Sequence, residues 1–280
     1  MLGAIAGDMV GSLWEFRRIK TKDFPLLFDE SSFTDDTVLT VAIADALLND
    51  IHPVHTLRAW PRKIQISHRV GGYGARFIQW MARPEPQPPY QSFGNGSAMR
   101  VSPCVWLSDT IDEMRVQVIR VTEVTHDHPE GIKGALATAE AIWYSRHGHH
   151  PEWIRAQIEK AHGYDMQRSV DDIRPVYQYS ESCQDSVPES ILCALEATSF
   201  EDALRNAVSL GGDSDTMACI AGSIAEARFG LPDDLMLEIR SRLHADLLAI
   251  VDQFYTELET RKAPSQSNNA SGSSHEPAAL

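Results

Sequence analysis

The sequence predicts an all-α protein, and two observations support this fold class. Apolar residues recur at the i, i+3, i+4 spacing of a helix along nearly the whole chain. No segment alternates apolar and polar residues over five or more positions, as a half-buried strand would. Because no internal stretch has the composition of a linker, we expect a single domain over residues 1–262.

Apolar faces define the helices in chain order. One of the clearest follows Asp36, where valine, leucine, isoleucine and alanine crowd one broad face. Pro232 and Asp233 suit the start of the last helix, since proline fits the first helical turn and early acids complement the helix dipole. The predicted helices cover residues 36–48, 111–124, 132–144, 154–162, 191–197, 203–208, 218–229 and 235–258.

The chain opens on a helical pattern in which glycine recurs every four residues, at Gly3, Gly7 and Gly11. Glycine costs about 0.5–1 kcal/mol relative to alanine inside a helix, so three on one face require a reason. Close packing of a neighbouring element and access of a ligand to the backbone are the two alternatives. On this pattern Glu15 lies one turn beyond Gly11, on the same face, unless it is a solvated surface acid.

Two stretches break the helical pattern. Residues 83–96 contain too much proline and glycine for a helix, and we expect a long loop, which in compact domains is often functional. Residues 263–280 are rich in serine, asparagine, glycine and proline and contain few apolar residues. We expect this tail to be disordered, because it cannot bury enough apolar surface to fold.

Composition and charge exclude several classes of protein. With 43% apolar and 23% charged residues, the 280-residue chain is expected to be globular. Its 39 acidic and 25 basic residues give a net charge of −14, which argues against an extended nucleic-acid-binding surface. No run approaches the roughly 18–20 apolar residues of a membrane helix, and the start of the chain lacks the basic region of a signal peptide.

The four cysteines form no C-x-x-C pair. We therefore expect buried, reduced thiols rather than a zinc site or a disulfide framework. Together with the absence of membrane and signal segments, this composition predicts a cytoplasmic protein with no membrane partner.

Acidic residues cluster at two predicted helix starts. The segment T-D-D-T at 34–37 precedes one apolar helix, and G-G-D-S-D-T at 211–216 precedes another. Helix capping explains one carboxylate in each segment. It does not explain a second, because neighbouring like charges repel and unpaired buried carboxylates are costly. Divalent cations such as Mg²⁺ and Mn²⁺ take carboxylate and hydroxyl oxygens, so capping and metal binding remain the two alternatives.

Five segments, taken together and in this order, resemble the ADP-ribosylglycohydrolase family. The resemblance runs from Gly3 to about Phe229, which is most of the predicted helical region. The segments are G-A-I-A-G-D-M-V-G-S-L-W-E at 3–15, F-T-D-D-T at 33–37, F-G-N-G-S-A-M-R at 93–100, T-H-D-H-P at 125–129 and G-G-D-S-D-T at 211–216.

The resemblance implies a compact orthogonal helical bundle with a cleft that holds two Mg²⁺ or Mn²⁺ ions. Glu15 would be the family's mobile glutamate, which closes on the site, and His126 would lie near the phosphate and ribose. The implied metal ligands are Thr34, Asp35, Asp36, Asp213, Asp215 and Thr216. The implied diphosphate-binding segment is Gly94, Asn95, Gly96 and Ser97.

The resemblance also implies a metal-dependent hydrolase that cleaves the glycosidic bond between C1 of the distal ribose of ADP-ribose and an acceptor. Asp36 or Asp213 would orient or deprotonate the attacking water, and Glu15 is the candidate for protonating the leaving group. The substrate would be an ADP-ribosylated protein, nucleic acid or small molecule.

Two alternatives remain open. The chain could be a catalytically silent ADP-ribose-binding or crystallin-like structural member, because fold is inherited more readily than activity. It could instead be a dinuclear metal phosphohydrolase that cleaves the diphosphate.

Overall fold

The structure is a computed structural model that describes residues 1–67, 70–84 and 87–262. Within these ranges the chain forms fourteen α-helices and one short 3₁₀ helix, with no β-strand, so the predicted all-α class is confirmed. The predicted disordered tail, 263–280, lies outside the described residues.

The helices are α1 (Leu2–Gly11), α2 (Asp35–Leu48), α3 (Pro53–Lys63), α4 (Ala75–Ala82), α5 (Ser102–Leu107), α6 (Ile111–Thr122), α7 (Pro129–Arg146), α8 (Pro151–His162), α9 (Val170–Ile173), α10 (Cys183–Leu195), α11 (Phe200–Ser209), α12 (Ser214–Phe229), α13 (Asp233–Ser241) and α14 (Ala245–Lys262).

Each of the eight helical regions predicted from periodicity is helical in the structure, with ends that differ by several residues. The predicted last helix was wrong in one respect, because two helices, α13 and α14, occupy its range. The break follows Ser241, where Arg242 donates to the backbone oxygens of Phe28 and Ser31 at 2.7 and 3.0 Å. The His244 ring then accepts from the Asp246 amide at 3.2 Å and starts α14.

The sequence analysis missed four short helices, α3, α4, α5 and α9. These helices have eleven, eight, six and four residues. The three helices of eight residues or fewer repeat an apolar position only a few times, so their periodicity is weak. Pro61 lies within α3 and obscures its pattern further.

The glycine repeat of α1 packs against α12. A Cβ atom on Gly7 would lie 1.9 Å from the backbone oxygen of Ala218, and one on Gly11 would lie 2.3 Å from that of Ser214. On the facing helix, a Cβ on Gly222 would lie 2.2 Å from the backbone oxygen of Gly3. The glycines therefore allow close packing of two helices, and this packing brings the end of α1 to the start of α12.

Glu15 is not on the α1 helix, so the prediction that it shares the glycine face was wrong. The helix ends at Gly11, and the following turn is closed by a hydrogen bond from the Trp14 amide to the Gly11 oxygen at 2.8 Å. The Trp14 ring packs on Phe24 and Phe28, with centroids 5.3 and 5.8 Å apart. This anchored turn leads the chain to Glu15.

The predicted proline-rich loop is non-helical from Arg83 to Gly94 in its described residues and ends in a 3₁₀ turn at Asn95–Ser97. Its last part pairs with the residues before α10. The Asn95 amide donates to the Glu181 oxygen at 2.8 Å, and the Cys183 amide donates to the Phe93 oxygen at 2.9 Å. Among the described residues, no helix is both long and apolar enough to cross a membrane.

Candidate active site

The ends of three helices bring the acidic residues together around one cavity. Asp8 lies near the end of α1, Asp35 and Asp36 start α2, and Asp213 and Asp215 lie at the start of α12. The N-termini of α2 and α12 carry a partial positive charge, which favours carboxylates there. The adjoining cavity has a volume of about 310 Å³.

The cavity wall contains ten of the twelve site residues predicted from the sequence. Thr34 and Ser97 are fully buried behind it. The ten residues on the wall are Glu15, Asp35, Asp36, Gly94, Asn95, Gly96, His126, Asp213, Asp215 and Thr216.

The carboxylates form two groups that share Asp215. In one group Asp8, Asp36 and Asp215 each place a carboxylate oxygen within 4.8 Å of the others. In the second group Glu15, Asp213 and Asp215 do the same. All of these side chains are buried, and Asp35, which is only partly buried, belongs to neither group.

Asp8 holds the start of α2 in place. Its carboxylate accepts from the Thr34 and Thr37 amides at 2.9 and 3.1 Å and from the Thr34 hydroxyl at 2.8 Å. The Thr34 oxygen in turn accepts from the Asp36 amide at 3.2 Å, so Thr34 also caps α2. Asp8 therefore positions the acidic start of α2 relative to α1.

Burial raises the pKa of every carboxyl group in the two groups, and repulsion by other carboxylates adds to this effect for all of them except Asp8. Burial raises the pKa of Asp8 to about 6, although hydrogen bonds from Thr37 and Thr34 lower it in part. Burial and the Asp215 charge raise the pKa of Glu15 to about 8. Burial, followed by the charges of other carboxylates, raises the pKa of Asp36 and Asp215 well above the usual range.

Asp213 connects the acidic groups with residues 94–97, here called the glycine-rich segment, which the sequence analysis assigned to phosphate binding. The Asn95 side-chain amide donates to its Oδ2 at 2.7 Å. Burial raises the pKa of Asp213 to about 7, although its hydrogen bonds with Asp215 and Asn95 lower it in part. Asn95 thus ties the predicted phosphate-binding segment to the acidic clusters.

The donor set fits a divalent cation. Within the described ranges, none of these carboxylates forms an ion pair with lysine or arginine. Asp36 Oδ1 and Glu15 Oε2 are buried and have no hydrogen-bond partner there. Several buried carboxylates without a cation are very unfavourable, whereas Mg²⁺ and Mn²⁺ bind such oxygens. Metal binding thus explains more of the arrangement than helix capping does.

The glycine-rich segment faces His126 across the cavity. A Cβ on Gly96 would lie 3.5 Å from His126 Nε2, and one on Gly94 would lie 3.8 Å from it. The Asn95 and Ser97 amides donate to backbone oxygens at 2.8 and 3.3 Å. The Gly96 amide has no acceptor among the described residues and remains available to a ligand.

Ser97 supports this segment from behind. Its hydroxyl lies 2.9 Å from the Gly131 oxygen and 3.2 Å from the Gly94 oxygen, and the Cys183 sulfur lies 3.3 Å away. The Ser97 side chain therefore joins the segment to α7 and α10 and does not face the cavity.

Several residues of the cavity wall were missed by the sequence analysis. Tyr179 donates to Glu181 Oε1 at 2.8 Å and lies 3.4 Å from Glu15 Oε1. Across the cavity, the Arg76 guanidinium lies 5.1 Å from the centre of the Tyr90 ring. None of these four residues occurs in a segment with a recognisable spacing. Asp8 did carry a signal, since it is an acidic residue inside an otherwise apolar helix.

Comparisons with known proteins show the family to which the chain belongs. The sequence model of the ADP-ribosylglycohydrolase family matches residues 1–264. The chain is 24% identical to ADP-ribosylhydrolase ARH3 of Mus musculus, over 82% of this chain and 83% of that one. It is 26% identical to ADP-ribosyl-[dinitrogen reductase] glycohydrolase of Rhodospirillum rubrum, over 83% and 85%. It is 23% identical to ADP-ribosylarginine hydrolase Tri1 of Pseudomonas putida, over 89% and 75%.

A solved structure described as an ADP-ribosylglycohydrolase-related protein complex shares the fold. The TM-score is 0.67 at 20% sequence identity, and the match covers 91% of this chain and 95% of that one. The family model and the names of the relatives identify the chain as a glycosidase-type hydrolase. The chain belongs to the ADP-ribosylglycohydrolase family.

Proposed function

We propose that this protein is a metal-dependent hydrolase that releases ADP-ribose from an acceptor by cleaving the glycosidic bond at C1 of the distal ribose. One observation carries the proposal. The two sets of buried carboxylates that share Asp215 lie at the same cavity as the glycine-rich segment 94–97 and His126. The names of the relatives, which are ADP-ribosyl hydrolases, support the same reaction.

The proposed metal ligands are Asp36, Asp213 and Asp215, with Asp35, Thr34 and Thr216 completing the set. Thr216 Oγ1 lies 3.3 Å from Asp36 Oδ2, so it is placed with the same acidic group. Two Mg²⁺ or Mn²⁺ ions bound here would hold ribose hydroxyls and lower the pKa of a bound water. The two overlapping acidic groups support a site for two ions.

The chain's own residues bind and orient the substrate. The free Gly96 amide and the His126 ring are placed to hold the diphosphate, since backbone amides bind phosphate oxygens without side-chain bulk. Held in this way, the distal ribose would reach the acidic groups through Asp213, which Asn95 connects to the glycine-rich segment.

Two carboxyl groups are placed to move protons. Asp213 lines the cavity and is the first candidate to take a proton from the attacking water at its carboxylate, and Asp36 is the second candidate base. Glu15, whose pKa burial and the Asp215 charge raise to about 8 in the metal-free protein, is the candidate acid. It can donate a proton to the leaving atom of the acceptor.

The experiment is to incubate the metal-loaded protein separately with a protein ADP-ribosylated on arginine, a protein ADP-ribosylated on serine and an ADP-ribosylated nucleic acid. The products are then identified by mass. Free ADP-ribose, lost on chelation, is the expected product. AMP, with the distal ribose phosphate left attached to the acceptor, would instead show the phosphohydrolase alternative. Tight binding of ADP-ribose with intact substrates throughout would show the silent binding or crystallin-like alternative.

The proposed partners are therefore ADP-ribosylated proteins, nucleic acids or small molecules, without an extended nucleic-acid-binding surface. We also propose a cytoplasmic location. The four cysteines, all buried and unpaired, support a reducing compartment.

A further inference from the structure

Arg100 is a fully buried arginine beside the cavity that has no carboxylate partner among the described residues. Its Nη2 donates to the Thr125 hydroxyl oxygen at 2.7 Å and to the Val121 oxygen at 3.3 Å. Its Nε and Nη1 are buried with no partner in that part of the chain. A buried cation without a counter-charge is costly, so Arg100 requires an explanation that packing does not supply.

The contacts of Thr125 link Arg100 to His126. Thr125 is fully buried, and its hydroxyl oxygen lies 2.8 Å from His126 Nδ1. Arginine can only donate, so the Thr125 oxygen accepts from Arg100. The single hydroxyl hydrogen of Thr125 is then left to find an acceptor, and His126 Nδ1 is the one acceptor that the described residues place beside it.

This donor direction fixes the position of the proton on His126. If Nδ1 carried the hydrogen, it would donate to Thr125, and the Thr125 hydroxyl hydrogen would be buried without an acceptor. If Nδ1 accepts from Thr125, every donor in the contact is satisfied. A neutral His126 then carries its hydrogen on Nε2. Burial, together with the charges of Arg100 and Arg76, lowers the pKa of His126 well below its usual value, which keeps the ring neutral.

His126 Nε2 faces the glycine-rich segment. It lies 3.5 Å from a Cβ built on Gly96, as the nearest atom there, and 3.8 Å from one built on Gly94, beside the Glu181 oxygen and the Ser92 hydroxyl at 3.5 Å each. A donor hydrogen on Nε2 would meet a phosphate oxygen held by that segment. The opposite tautomer would present a lone pair to the same oxygen and repel it.

We propose that Arg100, acting through the Thr125 hydroxyl, is a positioning residue that holds His126 as the Nε2–H tautomer and so makes it a hydrogen-bond donor to the diphosphate of the substrate. The identity of this anion rests on the proposed function. The tautomer itself does not, because it follows from the contacts of Arg100, Thr125 and His126 in the free protein.

The first test is the ¹⁵N NMR spectrum of the histidine rings in the metal-free protein, with His126→Gln used to assign the His126 signals among the 11 histidines. The wild-type protein is expected to show Nε2–H at His126. Thr125→Val keeps the shape of the side chain and removes the hydroxyl, and it should give a mixture of tautomers. Thr125→Ser keeps the hydroxyl and should restore the Nε2–H form. A wild-type Nδ1–H signal, or an unchanged tautomer in Thr125→Val, would overturn the proposal.

The second test is the affinity for ADP-ribose, measured by calorimetry with chelator present, so that the metal ligands do not contribute. Thr125→Val and Arg100→Met should each weaken binding about ten-fold, the effect of losing or misdirecting one good hydrogen bond. Thr125→Ser should bind within about two-fold of the wild type. Equal affinities in all four proteins would overturn the proposed relay.

The two tests separate this inference from the proposed function. If ADP-ribose fails to bind the metal-free wild type while His126 shows Nε2–H, the diphosphate role of the relay is overturned, whereas the proposed function is decided by release of ADP-ribose from substrate in the metal-loaded protein. If ADP-ribose binds well and His126 shows Nδ1–H, the proposed function stands and the relay is overturned.

Discussion

Asp215 belongs to both acidic groups, so the two groups depend on one side chain. Its pKa is raised well above the usual range by burial, then by Asp213 and Asp8. Ionised Asp215 therefore destabilises the folded protein when no cation is bound. A divalent cation bound at this site would be held by the same negative charge.

Asp215→Asn tests this balance. This substitution should lower kcat/KM at least about 100-fold. Replacing even a residue that only supports a metal ligand typically lowers metal affinity or activity 10–100-fold. With chelator present, the variant should melt at or above the wild-type temperature, because one unfavourable buried charge has been removed. Melting curves with and without Mg²⁺, together with initial rates, measure both effects.

Asp234→Asn is the matched control, because Asp234 is exposed in the first turn of α13. It should leave activity and the Mg²⁺ response unchanged. Wild-type activity in Asp215→Asn under limiting metal would show that the reaction takes place elsewhere.

Gly71 controls the space that the Glu15 carboxylate occupies. A Cβ on Gly71 would lie 2.0 Å from Glu15 Oε2 and 3.1 Å from Asp215 Oδ2. Gly71→Ala should displace the end of the Glu15 side chain, which can rotate away at little cost to stability. We expect kcat to fall about ten-fold or more, because a small displacement of a reacting group lowers the rate by at least this factor. The melting temperature should change little.

Gly74→Ala is the control for this prediction, since a Cβ there meets nothing within 4 Å. Adding Glu15→Asp to Gly71→Ala shortens the acid by one carbon and should recover part of the lost rate. If Gly71→Ala is fully active, Glu15 does not need its observed position.

The carboxylates at the starts of α2 and α12 were predictable from sequence, because they directly precede apolar helical faces. Thr34 and Asp36 illustrate this, since T-D-D-T directly precedes a helical repeat. Tyr179 and Glu181 were not predictable. They reach the cavity because the chain before α10 pairs with residues 93–95, and no local pattern encodes that pairing.

The packing of α1 on α12 sets the distance between the two acidic helix starts and the Glu15 turn. A Cβ on Gly7 would lie 1.9 Å from the Ala218 oxygen, and that backbone atom cannot move as a side chain can. Gly7→Ala should therefore destabilise the protein by about 3 kcal/mol, the upper part of the range for overpacked cores.

Urea unfolding measures this effect, with Gly74→Ala as the exposed control. The midpoint should fall for Gly7→Ala and stay unchanged for Gly74→Ala. Equal midpoints in the two variants would mean that α1 and α12 are not packed as closely as the structure shows.

Glu140 joins three helices. On α7 it accepts from Arg115 of α6 at 2.8 Å and lies 2.9 Å from His162 of α8. Burial alone would raise the pKa of Glu140, but the hydrogen bonds with His162 and Arg115 outweigh burial and lower it. A lowered folded-state pKa means that the stabilisation is present above the unfolded pKa, about 4.3, and is lost as the pH falls through the folded value.

Glu140→Gln should therefore reduce the free energy of unfolding by about 1–3 kcal/mol at pH 7. The difference from the wild type should shrink as the pH falls below about 4, because Glu140 is then protonated as well. Denaturant titrations at several pH values measure it, and Glu259→Gln, an exposed acid on α14, is the control. A difference that does not change with pH would show that the carboxylate charge is not what joins these helices.

The whole molecule combines a predictable fold with a cavity whose wall is only partly encoded by local sequence patterns. The helical class followed from periodicity, since long amphipathic helices repeat an apolar position many times. The break between α13 and α14 did not, because it depends on Arg242 reaching the oxygens of Phe28 and Ser31, more than 200 residues away in sequence. Tyr179, Glu181 and Arg76 likewise reach the cavity wall through tertiary contacts that no local pattern encodes.

The central claim is that a cation-dependent reaction at the shared acidic site releases ADP-ribose. Its most direct measurement is the mass of the product formed from an ADP-ribosylated substrate by the wild type and by Asp215→Asn, with Mg²⁺ and with chelator. We expect intact ADP-ribose from the wild type with Mg²⁺ and almost none in the other three reactions. AMP as the product, or equal release of ADP-ribose in all four reactions, would contradict this account.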